Sequence, residues 1–154
     1  MLLLGEQALR KWSSVIAVAA LGSDHPNELL VASVARASFC EGLLIEMGQA
    51  DLAQDAFFLG LFSMIDAFLG RPLSEAVERL ALSEEARIAL LGGDNLLRRA
   101  YTPVLVWERG AWDEVARLAA DLGLSTDVIA ARYKAALEFG DSVGKPEAEK
   151  PAHV

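Results

Sequence analysis

The stretch AFFLGLFSMID, Ala56 to Asp66, decides the fold. Its large residues, Phe57, Phe58, Leu61, Phe62 and Ile65, spread over nearly every side of a helical wheel, and a helix that is apolar all round is a buried one. Small residues recur at Ala56, Gly60, Ser63, Ala67 and Gly70, in steps of four, three, four and three. Such a stripe on one face lets a second helix backbone approach closely. Ser63 belongs to it, and its hydroxyl is predicted to bond a backbone carbonyl one turn earlier. Asp66 edges the same face. A carboxylate there needs solvent, an arginine or backbone N–H groups. The expected role is a helix cap or an arginine partner, with a site carboxylate and plain exposure as alternatives.

Outward from this helix the pattern stays helical, with apolar residues recurring at three and four and no sustained alternation. A first helix is predicted over Gln7–Leu21, closed by Gly22. A turn at Ser23–Asn27 contains Pro26, which pre-sets a second helix reaching about Met47. The buried helix itself is read as Asp55–Leu69, and a short helix follows Pro72 to about Leu80. Ser83 caps the next helix, which ends at Gly92-Gly93; Asp94 or Asn95 caps another that runs to Arg109, kinked or started late by Pro103. Trp112–Leu122 and Thr126–Phe139 form a last pair, turning at Gly123 with Ser125 as cap. From Gly140 the chain turns polar and is read as a disordered tail, 140–154, leaving one domain over 1–139.

Composition narrows the function. The chain has 154 residues, 53% of them hydrophobic, enough for one sizeable core. No apolar run reaches the roughly 18 residues that span a bilayer, so no membrane partner is expected, and no leader peptide is evident at Met1–Leu4. The single cysteine, Cys40, fits a reducing, cytoplasmic setting. Its apolar helix suggests a buried structural thiol, not a nucleophile. A net charge of −8 argues against broad phosphate binding, and no nucleic-acid partner is expected.

The chemistry is thin. Of two histidines, His153 lies in the tail and His25 in a turn before Pro26. No His-x-x-x-His pair exists, and one cysteine cannot build a zinc site. Gly92-Gly93 reads as a helix stop, not a phosphate loop, since no strand precedes it and no Gly-Lys-Ser/Thr follows. The last helix pair has the outline of a helix-turn-helix. Its second helix, however, offers only Arg132 and Lys134 against Asp127 and Glu138. Trp12, Trp107 and Trp112 are core residues first and interface residues second.

AFFLGLFSMID resembles the helix of the HD superfamily that carries a metal-binding His-Asp pair. Those two ligands fall on Ser63 and Met64, and the family's following glycine on Asp66. LLVASVARASFCEGLLIEMG resembles the family's second helix, its usual histidine falling on Ala32. LLGEQALRKW, FLGLFSMIDAFLG, LLGGDNLL, VWERGAWDEVARLA and YKAAL together, over residues 2–139, are similar to the HDOD domain. That domain is the catalytically degenerate HD branch, here in the version attached to EAL domains of bacterial cyclic-di-GMP signalling proteins. Trp107, Pro103 and Ala111 stand where that family often has a tyrosine, a leucine and an acid. Family members carry further helices ahead of LLGEQALRKW, so the chain is expected to be shortened at that end.

The resemblance implies an all-α, HD-like bundle of about seven helices. It implies no catalytic residue, no metal and no cofactor: Ala32, Ser63, Met64 and Asp66 are degenerate metal positions. The implied function is a regulatory, protein-binding module in cyclic-di-GMP signalling, its partner a protein such as an EAL domain. A homodimer, or exchange of the first helix, is a further expectation. The candidate interaction surface is Trp12 with Arg98 and Arg99. The alternatives are a DNA-binding regulator acting through the last helix pair and a residual metal-dependent phosphohydrolase.

Overall fold

Helix α2 (Asn27–Glu46) is the axis on which the other elements are laid. The computed structural model describes residues 5–22 and 27–145. The expected turn at Ser23–Asn27, His25 and His153 therefore lie, wholly or nearly so, outside the described residues. Among the described residues there are nine α-helices and no strand, an all-α bundle. None of those helices is long and apolar enough to cross a membrane.

Helix α1 (Glu6–Leu21) precedes α2, and a 3-10 turn at Ala50–Leu52 follows it. Next come α3 (Ala53–Phe62), α4 (Ile65–Leu69) and α5 (Leu73–Val77). Then come α6 (Glu84–Leu90), α7 (Leu96–Glu108), α8 (Trp112–Asp121) and α9 (Thr126–Gly144). Three expected caps are in place. Ser83, Asn95 and Ser125 each accept a hydrogen bond from the backbone N–H three residues on, at 3.2, 2.9 and 3.2 Å, satisfying one otherwise orphaned donor at each helix start. Pro103 neither delays nor ends α7, which starts at Leu96 and runs through it.

Helix α2 buries residues on opposite sides. Val34 and Ala37 pack with Val15 and Val18 of α1 and Phe57 and Leu61 of α3. Ala35, Phe39, Cys40 and Leu43 join Val104 of α7, Val115 of α8 and Ile129 of α9. Each such side chain taken out of water contributes roughly 1.5–3 kcal/mol before entropy is counted.

The buried third helix is not continuous. The expected Asp55–Leu69 rod is two helices, α3 and α4, separated at Ser63–Met64, where Met64 has φ −117° and ψ 16°. In an unbroken helix the Gly60 carbonyl would receive the Met64 N–H. Instead the Ser63 N–H reaches it at 3.3 Å and the Ser63 hydroxyl donates to it at 2.7 Å. A serine that bonds back this way competes with the helix ladder. The small-residue stripe is cut at the same point: Ala56, Gly60 and Ser63 are buried, while Ala67 and Gly70 face solvent.

The chain's end also differs from expectation. Helix α9 continues through Gly140 to Gly144, so the tail does not begin at 140. Gly140 is buried, and a Cβ there would lie 2.8 Å from the Val31 carbonyl oxygen. The glycine lets α9 press on the N-terminal half of α2, and Asn27 then donates a hydrogen bond to the Gly144 carbonyl at 2.8 Å.

Candidate functional site

The crossing of α2 and α3 is closer than any side chain would permit. A Cβ on Gly60 would lie 2.5 Å from the carbonyl carbon and oxygen of Arg36. This approach brings the Arg36 side chain to the α3–α4 break. Its Nη1 donates to Ser63 Oγ at 3.2 Å, and Ser63 passes the bond to the Gly60 carbonyl. The rest of the guanidinium faces α7: Nε donates to Glu108 Oε1 at 3.0 Å and Nη2 to Glu108 Oε2 at 2.6 Å. This is a two-pronged arginine–carboxylate pair, stronger and more directional than a single contact.

Burial alone would pull the Arg36 guanidinium down, but the hydrogen bonds and charge of Glu108 outweigh it and hold the group above its ordinary value. Cys40 and Tyr101 sit beside it. Burial pushes the Cys40 thiol up, with the Arg36 charge acting the other way. Burial likewise raises the Tyr101 phenol, opposed by the charge of Arg36 and the Ser63 hydroxyl. Neither group is an ionised nucleophile near neutral pH.

The sequence-derived site residues are only partly brought together. Ala32 lines an open hollow of about 360 Å³ that also reaches Arg36, Glu108 and Tyr133. Ser63 joins this set through its bond from Arg36. Met64, half-buried at the start of α4, and Asp66, half-buried in its first turn, do not line that hollow. Asp66 has no side-chain hydrogen bond or ion pair among the described residues, so the expected cap or arginine contact is not there. Among the described residues no group of three or more His, Cys, Asp or Glu side chains could hold a metal ion.

Trp12, Arg98 and Arg99 occupy different elements. Trp12 is 45% exposed on α1 and tilts against Phe139 of α9 at 6.2 Å. Arg98 and Arg99 begin α7, near α6 and α8. In the helix-turn-helix-like pair, Arg132 is paired with Glu46 of α2, and Ile129 and Ala136 are buried.

Sequence reasoning missed the Arg36–Glu108 pair. One local signal existed: Arg36 is the only base in α2, inside an otherwise apolar stretch. Its partner is 72 residues away, and no periodicity connects them.

The chain is similar to two curated proteins. Cyclic di-GMP phosphodiesterase CdgJ of Vibrio cholerae is 27% identical over 124 residues, covering 80% of this chain and 29% of CdgJ. The uncharacterized protein YuxH of Bacillus subtilis is 30% identical over 120 residues, covering 76% of this chain and 29% of YuxH. The chain thus spans less than a third of the length of the curated relatives it matches. No family model matches it, and no solved structure does.

Proposed function

We propose that the chain is a non-catalytic, HDOD-type module that binds protein partners within bacterial cyclic-di-GMP signalling. The observation that carries this reading is the content of the α2–α3 crossing. Where HD relatives would gather histidines and aspartates around a divalent ion, this chain offers a methyl group at Ala32, a hydroxyl at Ser63 and a thioether at Met64. The hydroxyl is already engaged with Arg36 and Gly60. A guanidinium brings a positive charge to this place but has no coordination site for water, and direct coordination is how a metal ion makes water a nucleophile. The similarity to CdgJ supports the signalling context; its phosphodiesterase activity belongs to a protein more than three times as long as the aligned segment.

The partner on this reading is a protein, an EAL domain or a second copy of the chain, held by helix faces. A stable complex would bury about 1,200–2,000 Å² in total. The test has two arms. The purified chain is incubated with cyclic di-GMP and manganese or ferrous ion and followed by chromatography, and its association is followed by sedimentation velocity. The expected result is no turnover, together with concentration-dependent self-association or a complex with an added EAL domain. Turnover that scales with bound metal contradicts the reading and favours the phosphohydrolase that the CdgJ name suggests.

A further inference from the structure

Among the described residues, the basic side chains that are half-buried almost all meet a carboxylate. Lys11 pairs with Glu41, Arg36 with Glu108, Arg87 with Glu84 and Arg132 with Glu46. Arg98 is the exception. It is half-buried in the first turn of α7, Nη1 donates to the Ala89 carbonyl at 3.1 Å, and the guanidinium lies 5.4 Å from the Tyr101 ring centroid. It makes no ion pair among the described residues, although the chain has 22 acids to 14 bases.

Arg98 stands at the edge of a groove of about 500 Å³ between α7 and α8. Met47, Leu96, Leu118 and Leu122 line the groove while remaining only partly buried against the core. The polar edge is mostly spent. Arg99 is occupied by Asp94 through bonds of 3.2 and 3.1 Å, and the Thr102 hydroxyl donates to the Arg98 carbonyl at 2.8 Å. Two charges along this groove have no ion-pair partner among the described residues: Arg98 and, on α8, Asp121.

We propose that this groove docks an amphipathic helical segment of a partner protein, with aliphatic side chains over Leu96, Leu118 and Leu122 and a carboxylate on Arg98. This rests on the protein-binding reading above and gives it a place and a partner chemistry. An apolar trough with a polar edge suits a helix laid by its apolar face. A carboxylate completes the guanidinium with charge-assisted bonds in partly desolvated surroundings. The opposite sign at Asp121 sets direction: the segment carries its acid toward α7 and a base or neutral residue toward the end of α8, because complementary charges fix register.

The test uses a phage-displayed library of random twelve-residue peptides selected on the full chain. Selected peptides are expected to combine leucine-like residues with an aspartate or glutamate. Fluorescence anisotropy of a labelled selected peptide is expected to weaken at least tenfold on Arg98→Glu. Arg10→Glu, an equal charge change on exposed α1, should leave it unaltered. Circular dichroism checks that both variants fold. Because Arg98 also bonds Ala89, the decisive measurement is the reciprocal swap: a peptide with its acid changed to lysine should regain affinity for the Arg98→Glu variant. Selection of nothing, or of peptides indifferent to Arg98, overturns the proposal. So does direct binding of cyclic di-GMP that Arg98→Glu abolishes. If peptides bind but are lost on Trp12→Ala instead, the groove assignment falls while the protein-binding reading stands.

Discussion

Helices α1 and α3 both pack on α2, and they do so in opposite ways. Helix α3 is nearly enclosed: Ala56, Phe57, Leu59, Gly60 and Leu61 are all at most 2% exposed or buried outright, and its backbone touches that of α2. Helix α1 buries only Val15 and Val18, while Leu9 is 58%, Trp12 45% and Ile16 65% exposed. One crossing has no room for a methyl group; the other leaves half its apolar residues in water. Enclosure at the α2–α3 crossing leaves its few polar groups dependent on one another for hydrogen bonds. Buried Ser63 shows this, accepting from Arg36 and donating to the Gly60 carbonyl. An open apolar face, by contrast, remains available for contact.

The contrast breaks most sharply at Gly60. Gly60→Leu forces a side chain into backbone atoms that a bare Cβ already meets at 2.5 Å. It is expected to cost at least about 3 kcal/mol, read as a lowered urea midpoint. Removing one partner of the ionic cluster comes next. Glu108→Ala strands a guanidinium whose side chain is 15% exposed, whereas Arg36→Ala leaves the exposed Glu108 carboxylate to water. Glu108→Ala is expected to cost about 2 kcal/mol and Arg36→Ala less than about 1 kcal/mol, whereas the double change to Met and Leu stays within about 1 kcal/mol of the parent, because the guanidinium's desolvation penalty goes with its charge. Equal losses in Glu108→Ala and the double variant would show that the pair is not coupled.

The pH dependence has a definite sign. Cys40 and Tyr101 are raised by burial in the native state. Above about pH 8.5 for a free thiol, and about 10 for a free phenol, the unfolded chain releases protons that the folded chain keeps. Stability therefore falls as pH rises through that window. A urea midpoint that drops between pH 8 and 10, with Cys40 unreactive to Ellman's reagent until the chain unfolds, is the expected result. The smallest effect belongs to α1. Leu9→Ser and Ile16→Gln are expected to shift stability by less than about 0.5 kcal/mol. Amides of α1 should exchange with deuterium ahead of those in α2 and α3.

Much of this was legible in the sequence, and the exceptions share a cause. The helix stops at Gly22, Gly92 and Gly123 and the caps at Ser83, Asn95 and Ser125 are local signals, so reading along the chain found them. The bond from Ser63 to the preceding turn was also local, but its consequence was not. The apolar run continues across Ser63–Met64, so the hydrophobic pattern carries no mark of the break. Gly140 reads as a stop because its partner, the Val31 backbone, is visible only in three dimensions. The Arg36–Glu108 pair was invisible for the same reason. Sequence pattern reports which face of a helix is buried; it does not report which distant charge meets it there.

On the proposed reading no ion is held at Ser63 and Met64, the Ser63 hydroxyl being engaged by Arg36 and the Gly60 carbonyl. The most direct measurement is equilibrium dialysis of the chain against manganese, paired with amide NMR spectra recorded during the same titration. The expected result is no tightly bound ion and no selective broadening of signals from residues 60–66. One ion bound per chain, with broadening centred on Ser63 and Met64, would contradict it.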